Sequence, residues 1–326
     1  MLTAEQVDST ARWIASVQQT NGAIPWFSGG HLDPWDHTQA AMGLAAAGFG
    51  AEAVRAYDWL RDAQRADGSW AIKYWPHEGD RIEDAGIDAN YTAYIATGVE
   101  HAARLGLDVE HLWPTVDAAL ECVLAMRTEV GLIPWARNDK GNLADEVLLT
   151  SSSSIAMSLR RGYDLAQRWG HERDHWLDAA LVIEQAICDK PEMFAPKERF
   201  SMDWYYPILC GILEGDRAEE RLAERWDEFV VPGFGARCVT VNTWVTGGET
   251  CELVLALEAV GRTDDARALF ADIQHLRDGD GTWWTGLEYA LGDRWPLEPS
   301  TWTAGTAIMA WDALNRATPA ATIFHR

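Results

Sequence analysis

Residues Trp59–Trp70 read WLRDAQRADGSW. The first half has the spacing of the last turns of an amphipathic helix. An Asp-Gly pair follows, and glycine supplies the left-handed residue that ends a helix. The closing Trp is then placed to pack back across the helix end. The same plan recurs at Trp13–Trp26 (WIASVQQTNGAIPW), Val123–Trp135 (VLAMRTEVGLIPW) and Phe270–Trp284 (FADIQHLRDGDGTWW), with a degenerate copy at Phe229–Phe234 (FVVPGF).

A second kind of segment alternates with the first. It opens on a polar cluster and continues as a small-residue, largely apolar helix. Six copies occur: Asp33–Leu44, Asp88–Gly98, Thr150–Leu159, Ser201–Ile212, Trp244–Leu257 and Ser300–Leu314. Their spacing of 45 to 64 residues fits two helices and two loops. Between them, residues 51–65, 112–127, 175–187, 217–228 and 264–276 carry apolar residues at i, i+3, i+4 with charges on the opposite face. Strand signals are weak. The pattern predicts an all-α chain, an (α/α)6 toroid of six inner and six outer helices, with residues 1–326 as a single domain.

The QxxDGSW stretch at Gln64–Trp70 and its relatives resemble the QW repeats of the terpenoid cyclase and protein prenyltransferase superfamily, a resemblance that covers most of the chain. It implies the toroid. Six-hairpin glycosidases and polysaccharide lyases share that architecture. Within Pro34–Thr38, PWDHT is similar to the D-x-D-D-T stretch that protonates polyenes in class II terpene cyclases, with Asp36 at the middle acid and Pro34 and His37 at flanking acid positions.

Composition narrows the partners. Fifty acidic and 27 basic residues give a net charge of −23, which suits neither nucleic acid nor an anionic membrane surface. No apolar run reaches the ~18 residues of a membrane span, and the N-terminus lacks a basic stretch followed by an apolar one. Membrane insertion is therefore not expected, and a cytoplasmic location is. The five cysteines include no CxxC pair, which fits reduced thiols. No metal-ligand spacing, P-loop or GxGxxG occurs, so no metal and no cofactor is expected. The sequence leaves the oligomeric state open.

The polar clusters ahead of the inner helices are expected to meet at one mouth. Capping alone accounts for many Asp, Ser and Thr residues there, but not for acids, His, Trp and Tyr gathering at the same level in several repeats. The candidate catalytic groups are Asp36, His37, Asp88, Asp203 and Glu249. Asp33 before Pro34 reads as a helix cap, which leaves Asp36 for other work. Glu249, within a Gly- and Ala-rich helix, has the setting that raises a carboxyl pKa unless an Arg such as Arg237 pairs with it. Of the 18 tryptophans and eight tyrosines, Trp35, Tyr91, Trp204, Tyr205, Trp244, Trp284 and Trp302 are candidate substrate-binding faces.

A carbohydrate-active enzyme of the hydrolase or lyase type, acting on a small or oligosaccharide substrate with carboxylates as general acid and base, fits the polar mouth best. A terpenoid cyclase-like or prenyltransferase-like enzyme using an isoprenoid, with Asp36 as Brønsted acid, is the alternative. A non-catalytic module binding a glycan or partner is the third.

Overall fold

The structure, a computed structural model, describes residues 1–326. Six inner helices form a closed ring: α2 (Pro34–Ala46), the joined pair α4 (Ala89–Ala93) and α5 (Ile95–Arg104), α7 (Leu149–Trp169), α9 (Ser201–Leu209), α11 (Gly247–Ala259) and α13 (Thr301–Asn315). Each packs on the next, and α13 returns to α2. Six outer helices surround them: α1 (Ala4–Val17), α3 (Gly50–Ala63), α6 (Trp113–Leu124), α8 (Asp174–Asp189), α10 (Gly215–Phe229) and α12 (Thr263–Asp272). The architecture is the (α/α)6 toroid that the repeats predict.

The burial pattern follows composition. Every residue of α2 is buried, whereas α10 buries only Ala218, Leu222 and Phe229. An inner helix has neighbours on all sides and is apolar or small-sided throughout; an outer helix needs only a stripe. One cluster of 87 buried hydrophobic residues runs from Leu2 to Phe324.

The glycine turns fasten the outer ring. Gly22 (φ +99°) and Gly68 (φ +86°) lie in the left-handed region, and a Cβ on either would sit 2.1 Å from a carbonyl oxygen, of Arg55 on α3 or Ala118 on α6. The Gln before each turn completes the joint. Gln18 Nε2 donates to the Gly22 and Glu52 carbonyls at 3.0 and 2.9 Å; Gln64 Nε2 donates to those of Gly68 and Thr115, both at 2.9 Å. Gly281 repeats the contact against Ser9 on α1, which closes the ring. Trp70 packs back as expected, donating to the Leu60 carbonyl at 2.8 Å.

The ring seam is tight where α13 meets α2. A Cβ on Gly43 would lie 2.6 Å from Gly305 Cα, and one on Gly305 would lie 2.8 Å from Ala40 Cα. Both obstacles are backbone, so neither can rotate away. Gly305→Ala is expected to cost about 1–3 kcal/mol, read as a fall in thermal midpoint; an unchanged midpoint would show that the seam has slack.

Nine short strands, unforeseen in the sequence, precede the inner helices. The hairpin of β1 (Lys73–Trp75) with β2 (Arg81–Asp84) and the pair β3 (Ile87–Asp88) with β4 (Ala136–Arg137) lie ahead of α4 and α7. An antiparallel sheet in sequential order, β5 (Val230–Val231), β6 (Gly235–Arg237), β7 (Trp244–Thr246), β8 (Gly286–Glu288) and β9 (Asp293–Arg294), flanks the entries to α11 and α13. With two or three residues each, they have no legible alternation.

Candidate active site

The first turns of the inner helices converge. Trp35 of α2 meets Tyr91 and Tyr94 (ring centres 5.9 and 6.1 Å), Tyr206 of α9 (6.2 Å) and Trp302 of α13 (6.3 Å). Residues up to 267 positions apart thus line one throat, and the carboxylates of α2 and α11 sit in it. Gly248 admits Trp302: a Cβ there would lie 2.4 Å from the indole ring.

Asp33 is the N-cap of α2. Its Oδ1 accepts from the Trp35 and Asp36 amides at 3.0 and 2.9 Å, with Pro34 next in the chain. Asp36 is therefore not needed for capping. It keeps 9% exposure. Burial, first, then the charge of Asp33 and a hydrogen bond shared with it, then the charges of Glu252 and Glu249, hold its carboxyl well above the usual carboxylate range. Each of these favours the neutral, proton-carrying form of Asp36 over the carboxylate.

Glu249, in the first turn of α11, is 5% exposed, and its Oε2 has no hydrogen-bond partner in the protein. It makes no salt bridge; Arg237 stands over the Tyr289 ring at 5.5 Å instead. The neighbouring Cys238 thiol is pushed up by burial and by the Glu249 charge. A buried carboxyl oxygen without a protein partner is rare and marks a place where a further group can bind.

Beneath these groups lies a polar network. Glu252, 1% exposed, accepts from Tyr205 (2.6 Å), Tyr206 (2.8 Å) and Gln39 (3.0 Å). Gln39 Nε2 also donates to the Tyr94 hydroxyl at 3.1 Å, and its Oε1 accepts from Trp302 Nε1 at 2.5 Å. Burial raises the Glu252 carboxyl to about 7, against the lowering effect of its three hydrogen bonds. Glu252, Gln39, Tyr94 and Tyr206 were not among the sequence candidates. Their signal was helical spacing: Glu252 follows Glu249 by three residues, and Gln39 follows Asp36 by three.

The remaining candidates fall into two groups. Asp88 caps α4, accepting from the Asn90 and Tyr91 amides at 2.8 and 3.1 Å, and burial raises it to about 7. Asp203 accepts from Thr150 at 3.1 Å and is raised by burial. Both lie in first turns of inner helices beside the throat, Asp88 next to Tyr91. The structure carries others away from it. His37 accepts from the Ile24 amide through Nδ1 at 3.0 Å and donates through Nε2 to the Ala56 carbonyl of α3 at 2.9 Å. Burial lowers it to about 4, so it is a neutral strut between α2 and α3 with no free nitrogen for proton transfer. Trp204 points outward, stacked on Phe229 of α10 at 5.3 Å. Trp244 packs on Trp295 (4.8 Å), and Trp284 lies under Arg294 (4.7 Å) and donates to Asp278 at 2.7 Å; Trp244 belongs to β7 of the sheet flanking the mouth, and Trp284 lies just before β8. Tyr205 is fully buried against Glu252.

Further polar atoms at this level lack protein partners: Trp35 Nε1, Asn90 Oδ1, and the hydroxyls of Ser151 and Ser152. Orphaned donors and acceptors among aromatic faces match a polyhydroxylated ring, which offers both hydrogen-bond types and apolar C–H faces. A surface cavity of 580 Å³ lies outside the throat, between the β1–β2 hairpin and the loop after β4.

No protein-family model matches the chain. The MMP endo-(1,4)-3-O-methyl-alpha-D-mannosidase of Mycolicibacterium hassiacum is 47% identical over 327 residues, which span 99% of this chain and 90% of the relative. Among solved structures, a glycosidase variant aligns with a TM-score of 0.76 at 18% identity, over 95% of this chain and 96% of that one. A glycosidase in complex with glucose aligns with a TM-score of 0.74 at 18% identity, over the same shares. These likenesses support the glycosidase-like toroid and give no support to the terpenoid cyclase resemblance.

Proposed function

The chain belongs to the family of that endo-mannosidase, a carbohydrate-active enzyme of the glycoside hydrolase type, and from this we propose that it cleaves internal α-1,4 bonds of a 3-O-methylated mannose chain, with Asp36 as general acid and Glu249 as general base. The observation that carries the assignment is the pairing of a buried Asp36, its carboxyl raised well above the usual range, with Glu249, whose Oε2 is buried without a protein partner, in one aromatic throat.

Glycoside hydrolysis needs a proton for the departing oxygen and a carboxylate facing the anomeric carbon. Asp36 holds the proton, and Glu249 takes one from the attacking water. Their helices α2 and α11 are separated in the ring by α13. With Glu249 as base rather than nucleophile, the reading requires the wider carboxyl separation of roughly 6.5–9.5 Å that admits a water and gives inversion. Proton NMR during turnover should therefore show an α-linked mannoside first releasing the β-anomer; early α-anomer would make Glu249 a nucleophile instead. Glu249→Gln should abolish turnover on the same substrates, and full activity in that variant would remove Glu249 from the mechanism.

Asp88, Tyr91, Trp35 and Trp302 line the sugar-binding wall, and Asp203 supports the entry of α9. Neither Asp36 nor Glu249 is locked in an ion pair, which favours catalysis over a binding module whose acids serve the fold. No helix is long and apolar enough to cross a membrane, and the five free thiols fit a reducing, cytoplasmic setting.

A further inference from the structure

An enzyme that cuts inside a polymer must hold sugar units beyond the bond it breaks. A row of aromatic rings leads out of it. Trp302 meets Trp26 (5.7 Å), Trp26 meets His31 (5.8 Å, planes within 13°), and His31 meets Trp75 (6.1 Å). Trp26, His31 and Trp75 are all partly exposed. They are built on pinned backbone: the Trp26 amide donates to the His31 carbonyl at 2.7 Å, and the Thr301 amide of α13 donates to the Trp26 carbonyl at 2.8 Å. Trp26 Nε1 is buried without a protein partner. Burial lowers the His31 pKa, so a neutral ring stands in the row. At its outer end Lys73 and Arg81 lie 5.5 and 5.7 Å from the Trp75 ring centre, each beside an acid, Glu83 or Glu78.

A core role does not explain these rings: all three stay partly exposed, the Trp26 N–H has no protein partner, and the Trp75 N–H is held by the surface acid Glu83 rather than by the core. Resting on the function proposed above, we propose that Trp26, His31 and Trp75 form a distal binding track for the sugar units of an oligosaccharide that extend from the throat. Pyranose C–H faces carry partial positive charge and suit the negative faces of the rings. The ring-to-ring step is comparable to one sugar unit. Methyl ethers on the sugar add apolar surface to the same contact. The Lys73–Glu83 and Arg81–Glu78 pairs supply donors and acceptors for hydroxyls at the end of the row.

The test is the dependence of kcat/KM on substrate length, with 3-O-methylated α-1,4-manno-oligosaccharides from the disaccharide to the octasaccharide. For Trp75→Ala and His31→Ala, checked for folding by thermal melting, the long-to-short ratio of kcat/KM is expected to fall about tenfold, the usual cost of truncating an aromatic anchor. Trp75→Phe should restore most of it. A ratio equal to wild type in both alanine variants would overturn the track. If the wild-type chain cleaves none of these mannosides, the substrate reading fails on its own. The track is then judged by calorimetric titration of malto- and manno-oligosaccharides into the Asp36→Asn chain: weaker binding on adding Trp75→Ala supports it, and equal binding or none overturns it.

Discussion

Asp36→Asn gives a folded chain that still binds oligosaccharide but cleaves it about 10²–10⁴-fold more slowly, the usual contribution of a positioned acid. The fold survives because asparagine is close in shape to the neutral carboxyl that this setting favours. The same substitution is expected to stabilise the protein at high pH. Asp36, Asp88 and Glu252 all have folded pKa values raised above their ordinary ones. Such a group adds stability in full below its unfolded pKa, about 4 for a carboxylate, and loses that contribution as pH rises through the folded value. The wild-type thermal midpoint should therefore drop between pH 5 and pH 8. Asparagine does not titrate, so the variant's midpoint should drop less and exceed that of wild type at pH 8. Parallel midpoints across that range would mean that Asp36 is already ionised, and the acid role would have to move elsewhere.

The ring was legible in the sequence because its signals are local. A Gly turn just beyond a helix end and a Trp that folds back over that helix are written within about a dozen residues at Trp59–Trp70; α3 itself ends at Ala63, and Gly68 sits in the turn that follows rather than at the helix end. The structure adds what one repeat cannot show: Gly22, Gly68 and Gly281 each touch the backbone of the outer helix they dock against. Asp36 and Glu249 stand out in the sequence as candidates by subtraction, since Asp33 already fills the capping role and Glu249 sits in an apolar helix. Trp204 and His37 were placed on the wrong side by adjacency. Successive helical residues point about 100° apart, so Asp203-Trp204-Tyr205-Tyr206 cannot all face the throat, and His37 turns toward α3 while Asp36 turns inward. The Gln39–Glu252 bond joins residues 213 positions apart. No local pattern encodes it, because the partner exists only once α2 and α11 stand in one ring.

That bond gives the second large effect, expected for Glu252→Gln. In wild type the Glu252 acceptors fix which way the Gln39 amide faces: its nitrogen toward Glu252 and Tyr94, its oxygen toward the Trp302 indole. A glutamine at 252 brings N–H donors among groups that already donate. Gln39 loses its preferred orientation, and Trp302 its anchor. Losing a hydrogen bond to a charged acceptor and leaving a buried donor unmatched costs about 1.5–3 kcal/mol, so kcat/KM should fall about 10–100-fold, mainly through KM. Packing damage alone would do as much, and the pH profile separates the two. Glu252 titrates near 7, and its charge is one of those that hold the proton on Asp36. As pH rises, Glu252 ionises and Asp36 is kept protonated beyond the point at which it would otherwise lose its proton, a coupled titration of the two groups. Glutamine removes that charge, so the alkaline limb of kcat/KM should move to lower pH. A limb that stays in place while KM rises would reduce Glu252 to a support for Trp302 and leave Asp36 governed by burial, Asp33 and Glu249.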